Sequence, residues 1–211
     1  MATDGAAPRR GLLVDFGGVL TTDVFTSFQL FCETEGLEPG AVRDRFRGDP
    51  TAQKLLFDLE EGKLTEEEFE PLFAELLRVA DPANLIDRLF AGMRPDEAML
   101  DAVAGFKRAG VRTGLISNSW GKGRYDRSRF PELFDGTVIS GEVGIRKPLP
   151  EIYAMGAAAI GLPPEECVFV DDLPPNLKPA AELGMTTVHH VTAEQTIPQL
   201  EELLGVTLHS R

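Results

Sequence analysis

Short apolar stretches that stop at polar residues or glycine recur along the chain. They lie at residues 12–14, 111–117, 137–140, 167–170 and 186–189. Apolar runs of this length between turn-forming residues are typical of strands buried on both faces of a sheet. The pattern therefore predicts five strands.

The spacing of apolar residues changes to a helical period between about residues 27 and 90. Within this stretch, apolar side chains recur at positions i, i+3, i+4, i+7 and i+8, which lie on one face of a helix. They are Phe69, Leu72, Phe73, Leu76 and Leu77. Thr65 followed by Glu68 is a capping-box pattern and predicts where this helix begins. The stretch is predicted to hold several short helices and no strand.

Helical segments alternate with the predicted strands after residue 95. They lie at residues 95–109, 151–160 and 178–183, and Thr192 with Gln195 resembles a capping box for a last helix. Such alternation predicts an α/β fold with a parallel sheet and right-handed crossovers. In these sheets ligands bind outside the carboxyl ends of the strands.

Composition and charge narrow the class of protein. The 211 residues are 43% hydrophobic and 26% charged, which excludes global disorder. With 21 basic and 34 acidic residues, the formal net charge is −13, and Arg9-Arg10 and the loop-like stretch 122–129 are the nearest to basic clusters. A body of this charge repels nucleic acid and anionic membranes, so neither partner is expected. Residues 1–10 are predicted to form a frayed tail.

The cellular compartment is predicted from cysteine usage and from the first apolar run. The two cysteines, Cys32 and Cys167, form no C-x-x-C pair, so a disulfide framework and a zinc site are not expected. The run 12–14 is too short for a signal sequence or a membrane span. A cytoplasmic protein is expected.

Polar residues cluster where predicted strands end. Asp15 follows the first strand, Ser117 and Asn118 follow the second, and Asp171 with Asp172 follow a later one. Neighbouring carboxylates favour a Mg²⁺ site with open positions, whereas the alternative is that each Asp caps a turn or a helix. Ser117 and Asn118 carry groups that bind phosphate oxygens.

Lys147 precedes a predicted helix in the sequence Arg146-Lys147-Pro148. Its charge would neutralise a phosphate or a charged nucleophile, and the alternative is a solvated lysine before a proline turn. Glycines at positions 17 and 18, directly after Asp15, would let backbone groups approach a phosphate or a metal closely.

Four ordered motifs resemble those of the haloacid dehalogenase-like hydrolase superfamily. They are VDFGGVLT at 14–21, ISNS at 116–119, RKPLPEIY at 146–153 and VFVDDLPPN at 168–176. The last motif and the residues after it are most similar to the phosphatase domain at the N-terminus of soluble epoxide hydrolases. The resemblance implies a Rossmann-like three-layer core at residues 1–22 and 95–211, and an inserted helical cap at residues 23–94.

The resemblance also implies roles for the strand-end residues. Asp15 would be the nucleophile that forms an aspartyl-phosphate. Asp15, Asp172 and the backbone carbonyl of Gly17 would bind Mg²⁺, and Asp171 would support the metal shell or hold Lys147. The substrate would be a small phosphorylated molecule.

The phosphoryl group would be held by four residues of these motifs. They are Gly18, Ser117, Asn118 and Lys147. Lys147 would also offset the charge of Asp15, and Asn176 would orient the surrounding shell. The cap would select the substrate, and Phe25, Phe28 and Phe31 either cover the crevice or belong to the cap's own core.

One position departs from the family pattern. Phosphatases of this family carry a second Asp two residues after the nucleophile, where it protonates the leaving group and activates water, and this chain has Gly17. Positioned acid–base catalysis contributes about 10²- to 10⁴-fold. The sequence therefore permits a slow phosphatase, an enzyme for good leaving groups, or a phosphate-binding protein without turnover. A 2-haloacid dehalogenase is a further alternative, against which the Asp171-Asp172 pair argues.

Overall fold

The computed structural model describes residues 8–121, 123 and 125–208. Residues 1–7 of the predicted tail and residues 122 and 124 of the predicted loop lie outside them. The prediction of a frayed tail is wrong for Arg9 and Arg10. The backbone N–H of Arg10 donates to the carbonyl of Glu166 at 2.9 Å, and Arg9 Nε donates to Thr186 Oγ1 at 2.9 Å.

Five parallel strands form one sheet in the order β3-β2-β1-β4-β5. They are β1 (Gly11–Val14), β2 (Arg112–Ser117), β3 (Gly136–Ile139), β4 (Cys167–Asp171) and β5 (Thr186–His189). The predicted strands are confirmed, with small shifts at their ends. β1 and β4 are buried along their whole lengths, as continuous apolar runs require in a central parallel strand.

An insertion of five helices follows β1. They are α1 (Val24–Glu35), α2 (Ala41–Gly48), α3 (Pro50–Glu60), α4 (Glu66–Leu77) and α5 (Leu85–Leu89). The predicted capping box of α4 is confirmed, because Thr65 Oγ1 accepts from the N–H of Glu68 and the Glu68 carboxylate accepts from the N–H of Thr65.

Six helices follow this insertion. They are α6 (Glu97–Arg108), α7 (Phe130–Leu133), α8 (Ser140–Val143), α9 (Pro150–Ala159), α10 (Pro174–Glu182) and α11 (Ala193–Leu204). α10 begins four residues earlier than predicted, because Pro174 fits the first turn, where no N–H is needed. α7 and α8 are single turns that no pattern predicted, and Arg127–Arg129 is a 3-10 turn within the predicted loop.

The predicted capping box at Thr192 and Gln195 is wrong. Thr192 occupies the position before α11, but its side chain makes no hydrogen bond to the first-turn N–H groups. The N–H of Gln195 instead reaches the backbone carbonyl of Thr192 at 3.2 Å. A turn closed by the backbone takes the place of the side-chain cap.

The sheet packs between two layers of helices. Alternate residues of β1 point to opposite faces, so that Leu12 and Val14 join the core under α6 and α11, and Leu13 joins the core under α9 and α10. This arrangement is the predicted three-layer α/β core.

The helices α1–α5 have a hydrophobic core of their own, built on Phe28, Phe69 and Phe73. We propose that residues 23–94 form the cap and that residues 1–22 and 95–211 form the core domain. This division is supported by the contacts where the chain leaves the core domain and where it returns to it. Thr21 and Pro95 form an antiparallel bridge there, and the N–H of Thr22 donates to the carbonyl of Arg94 at 2.8 Å.

A search of the helices in the described part of the chain finds none with the length and apolar character needed to cross a bilayer.

The Tyr153→Phe substitution tests the packing beneath the sheet. Tyr153 is fully buried against Phe169, and its hydroxyl has no hydrogen-bond partner among the described residues. Removing an unsatisfied hydroxyl relieves a desolvation cost of about 1–3 kcal/mol. We expect Tyr153→Phe to leave the free energy of unfolding unchanged or to raise it by about 1 kcal/mol. Urea denaturation measures this change, and a clear loss of stability would mean that the hydroxyl has a partner.

Candidate active site

The predicted site residues converge at the carboxyl end of the sheet. β1 lies between β2 and β4, so the ends of these three strands are neighbours. Asp15 follows β1, Ser117 ends β2, and Asp171 ends β4. One carboxylate oxygen from each of Asp15, Asp171 and Asp172 lies within 4.8 Å of the others.

Lys147 lies at the centre of this cluster. Its Nζ is 2.7 Å from Asp15 Oδ1 and 2.7 Å from Asp171 Oδ2, and the side chain is 1% exposed. The alternative of a solvated lysine is therefore wrong. One ammonium group joins the nucleophile candidate to the end of β4.

Asp171 is fixed by the start of α10. Its carboxylate accepts from the N–H of Leu173 at 2.8 Å and from Asn176 Nδ2 at 3.0 and 3.1 Å. With Lys147 as a further donor, both oxygens are occupied. Asp171 therefore serves as an acceptor that orients Lys147, and Asn176 orients Asp171.

Burial and crowding shift the ionisation of the cluster. Burial raises the pKa of Asp15 to about 8, and the charges of Asp171 and Asp172 add to this although Lys147 opposes it. Burial and the Asp171 charge raise the pKa of Asp172 to about 6. Burial lowers the pKa of Lys147, but the charges of Asp15 and Asp171 outweigh it and hold the pKa above its ordinary value. Within the described part of the chain, Lys147 thus pairs with two of these three neighbouring carboxylates.

The turn after Asp15 requires glycine at position 18. Gly18 has a φ of +74°, and a Cβ there would lie 2.5 Å from Asp172 Oδ2. Its N–H donates to Thr21 Oγ1 at 3.2 Å. Gly17 has no such conformational demand, and a Cβ there would lie 3.1 Å from Val24 Cγ2. The close approach of Asp172 therefore explains Gly18, whereas a side chain at position 17 would require Val24 to shift by a few tenths of an ångström.

Asn118 uses its side chain on the protein itself. Its Oδ1 accepts from the N–H of Lys147 at 2.8 Å, and its Nδ2 donates to the carbonyl of Lys147 at 3.1 Å and to Glu60 Oε2 at 3.3 Å. Both amide hydrogens are therefore occupied. The predicted role of Asn118 in holding a phosphoryl group therefore falls to its backbone N–H, because the side-chain amide is already bonded to Lys147 and Glu60.

Tyr125 is a member of the site that sequence reasoning missed. Its hydroxyl lies 3.0 Å from Ser117 Oγ, and its ring packs edge-on against Phe16. Burial raises its pKa to about 12, so the hydroxyl keeps its proton at neutral pH. No sequence signal identified it, because it lies in an irregular loop.

A cavity of about 450 Å³ lies over the carboxylate cluster. Its cap side is largely aromatic and aliphatic, and the lining includes Phe25, Phe28 and Trp120. The sequence left open whether these phenylalanines cover the crevice or belong to the core of the cap. Phe28 does both, because it lines the cavity and is buried in the cap core. Phe31 belongs to the cap core and is not among the lining residues. Arg43 and Arg47 of α2 bring positive charge to the same cavity.

Comparisons with known proteins identify the family of the chain. A family model described as a haloacid dehalogenase-like hydrolase matches residues 10–184. Bifunctional epoxide hydrolase 2 of Rattus norvegicus is 29% identical over 185 residues, covering 79% of this chain and 32% of the relative. The chain therefore spans about a third of that relative's length. Glyceraldehyde 3-phosphate phosphatase of Methanopyrus kandleri is 34% identical over 108 residues, covering 48% of this chain and 46% of the relative.

Solved structures share the fold. A HAD-like family hydrolase from Porphyromonas gingivalis superposes with a TM-score of 0.71 and 26% identity, covering 94% of this chain and 98% of the other. A HAD family enzyme from Bacteroides thetaiotaomicron, in complex with magnesium and inorganic phosphate, has a TM-score of 0.66 and 22% identity and covers 87% and 94%. With a family model over most of its length and the motif residues gathered at one end of the sheet, the chain belongs to the haloacid dehalogenase-like hydrolases.

Proposed function

We propose that the protein is a Mg²⁺-dependent hydrolase that releases phosphate from a small phosphorylated metabolite through an aspartyl-phosphate on Asp15. The observation that carries this proposal is the placement of Asp15. Its carboxylate lies at the floor of a small-molecule cavity, paired with a buried lysine and beside two further carboxylates. A similar protein is named as a phosphatase, and a protein of the same fold binds magnesium and phosphate.

The carboxylate cluster fits a magnesium ion by its donor chemistry. Asp15 and Asp172 offer oxygen ligands, Gly17 would add its carbonyl oxygen, and Asp171 would hold Lys147 beside them. The raised pKa values of Asp15 and Asp172 indicate that the cluster lacks positive charge. When bound, the ion would stabilise charge on the phosphoryl oxygens.

The protein's own residues would carry the bond changes. A carboxylate oxygen of Asp15 forms a bond to phosphorus while the bond from phosphorus to the leaving-group oxygen breaks. Lys147 and the hydroxyl of Ser117 stabilise the phosphoryl oxygens, with the N–H of Asn118 as a further donor. The predicted contribution of Gly18 would require its N–H to leave Thr21 Oγ1. Water then attacks phosphorus, which releases inorganic phosphate and a proton and restores Asp15.

The lack of a carboxylate at Gly17 favours one alternative, a module that binds phosphorylated ligands without turnover. In the hydrolase, the leaving group would depart without a proton from position 17. Good leaving groups such as aryl or acyl phosphates would then be the preferred substrates.

The first test is phosphate release from a panel of aryl, acyl and alkyl phosphates with and without Mg²⁺. We expect turnover on the activated esters that EDTA abolishes. Asp15→Asn removes the nucleophile and should reduce turnover by about 10⁴- to 10⁶-fold. The matched control is Asp101→Asn on the exposed face of α6, which should keep full activity. Activity that survives Asp15→Asn would overturn the mechanism, and phosphate binding without any turnover would favour the binding module.

A second prediction concerns Gly17→Asp. The new carboxylate would protonate the leaving group, so kcat on an alkyl phosphate should rise by about 10²-fold or more, with little change on an acyl phosphate. Because Val24 crowds this position, Gly17→Asp combined with Val24→Ala is the companion variant. Steady-state kinetics measures how much each variant changes kcat on the alkyl phosphate relative to kcat on the acyl phosphate. An equal effect on both would show that the proton is not limiting.

The third prediction links metal binding to pH. In the metal-free protein the pKa of Asp15 is raised to about 8 and that of Asp172 to about 6, so protons compete with the ion at lower pH. Mg²⁺ at about 100 times its Kd stabilises a fold by about 2.7 kcal/mol. We expect a larger rise in Tm with Mg²⁺ at pH 8 than at pH 6. Asp172→Asn should lose most of the Mg²⁺-dependent rise in Tm. An equal rise at pH 6 and pH 8 would contradict competition between protons and Mg²⁺.

A further inference from the structure

The end of helix α3 in the cap is tied to the core by a buried carboxylate. Glu60 is 5% exposed, and its Oε2 lies 2.5 Å from Arg146 Nε and 3.3 Å from Asn118 Nδ2. The Arg146 guanidinium also lies 3.8 Å from the ring centre of Phe57, one helical turn earlier. Two residues of α3 therefore hold Arg146, which directly precedes Lys147.

Backbone contacts fix the register of this junction. The carbonyl of Glu60 accepts from Ser140 Oγ, and the same hydroxyl accepts from the N–H of Ser119 at 2.8 Å. Gly62 lies so close to the core that a Cβ there would be 2.6 Å from the carbonyl of Gly141. The end of α3 therefore packs at one fixed position, its seat, against α8, which in turn contacts Ser119 after β2.

Asn118 connects this seat to the candidate nucleophile. Its amide bonds Glu60 on one side and both backbone groups of Lys147 on the other. Lys147 Nζ in turn contacts Asp15 at 2.7 Å. A series of contacts thus links Glu60 of the cap through Asn118 and Lys147 to Asp15. Glu60 itself does not contact Asp15 in this series.

We propose that Glu60 is a positioning residue supplied by the cap, which orients Asn118 and through it Lys147, so that phosphate binding depends on the seating of α3. This inference rests on the proposed function of the site. A carboxylate that served only to hold the cap would be satisfied by Arg146, whereas the bond to Asn118 joins it to the residue that holds the site lysine.

The test compares Glu60→Ala with Glu60→Gln, which keeps an acceptor oxygen at the same reach. The probes are inorganic phosphate with Mg²⁺ in calorimetry, and kcat and KM on an aryl phosphate. We expect Glu60→Ala to weaken phosphate binding and to lower kcat/KM by about 10- to 100-fold, as loss of an orienting partner does at comparable sites. Glu60→Gln should restore part of this loss.

The matched control is Glu61→Gln. Glu61 is the next residue, and its carboxylate pairs with Lys63, which also belongs to the proposed cap. Phosphate affinity should not change in this variant. If Glu60→Ala does not fold, Glu60→Asp takes its place, because it keeps the charge beside Arg146 but draws the carboxylate back from Asn118.

The outcomes separate this inference from the proposed function. A lower Tm with unchanged phosphate affinity in the Glu60 variants would overturn it and leave the hydrolase proposal standing. Weakened phosphate binding in a protein without turnover would support it while the hydrolase proposal fails. A native protein that neither binds phosphate nor turns over any ester would overturn both.

Discussion

The ion pairs of Lys147 with Asp15 and Asp171 are the interaction on which the site depends. All three side chains are buried, and removing one partner of a buried ion pair commonly costs about 3–5 kcal/mol. Their positions follow from three separate segments, namely the end of β1, the end of β4 and the loop before α9. The order of the parallel strands places the two aspartates side by side, and the Asn118 amide brings the lysine to them.

The same arrangement leaves the site short of positive charge. Lys147 satisfies one oxygen each of Asp15 and Asp171, while Asp172 adds a third carboxylate that has no lysine of its own among the described residues. Burial makes this imbalance more costly, which is why the pKa values of Asp15 and Asp172 are raised. A divalent cation would restore the balance, because its two positive charges offset the two carboxylates that Lys147 leaves unneutralised.

The sequence predicted what local pattern controls, and it missed what long-range contacts control. Apolar runs located the strands, and their polar ends located Asp15, Ser117 and the Asp171-Asp172 pair. It could not predict that the Asn118 amide would be occupied by Lys147 and Glu60, because these residues lie 29 and 58 positions away. The ion pair of Glu60 with Arg146 was missed for the same reason, whereas Tyr125 was missed because it lies in an irregular loop.

Because position 17 is a glycine, proton transfer at the site would depend on other side chains, of which Tyr125 and Lys147 lie beside Ser117 and Asp15. Tyr125 and Lys147 both hold their protons at neutral pH, since the pKa of Tyr125 is about 12 and that of Lys147 is raised. Either side chain can donate a hydrogen bond, but neither can take a proton from an attacking water. In the proposed reaction, the absence of a carboxylate at position 17 costs most where the departing group needs a proton, as it does in an alkyl phosphate. The site is therefore better suited to accept a phosphoryl group from an aryl or acyl phosphate than from an alkyl phosphate.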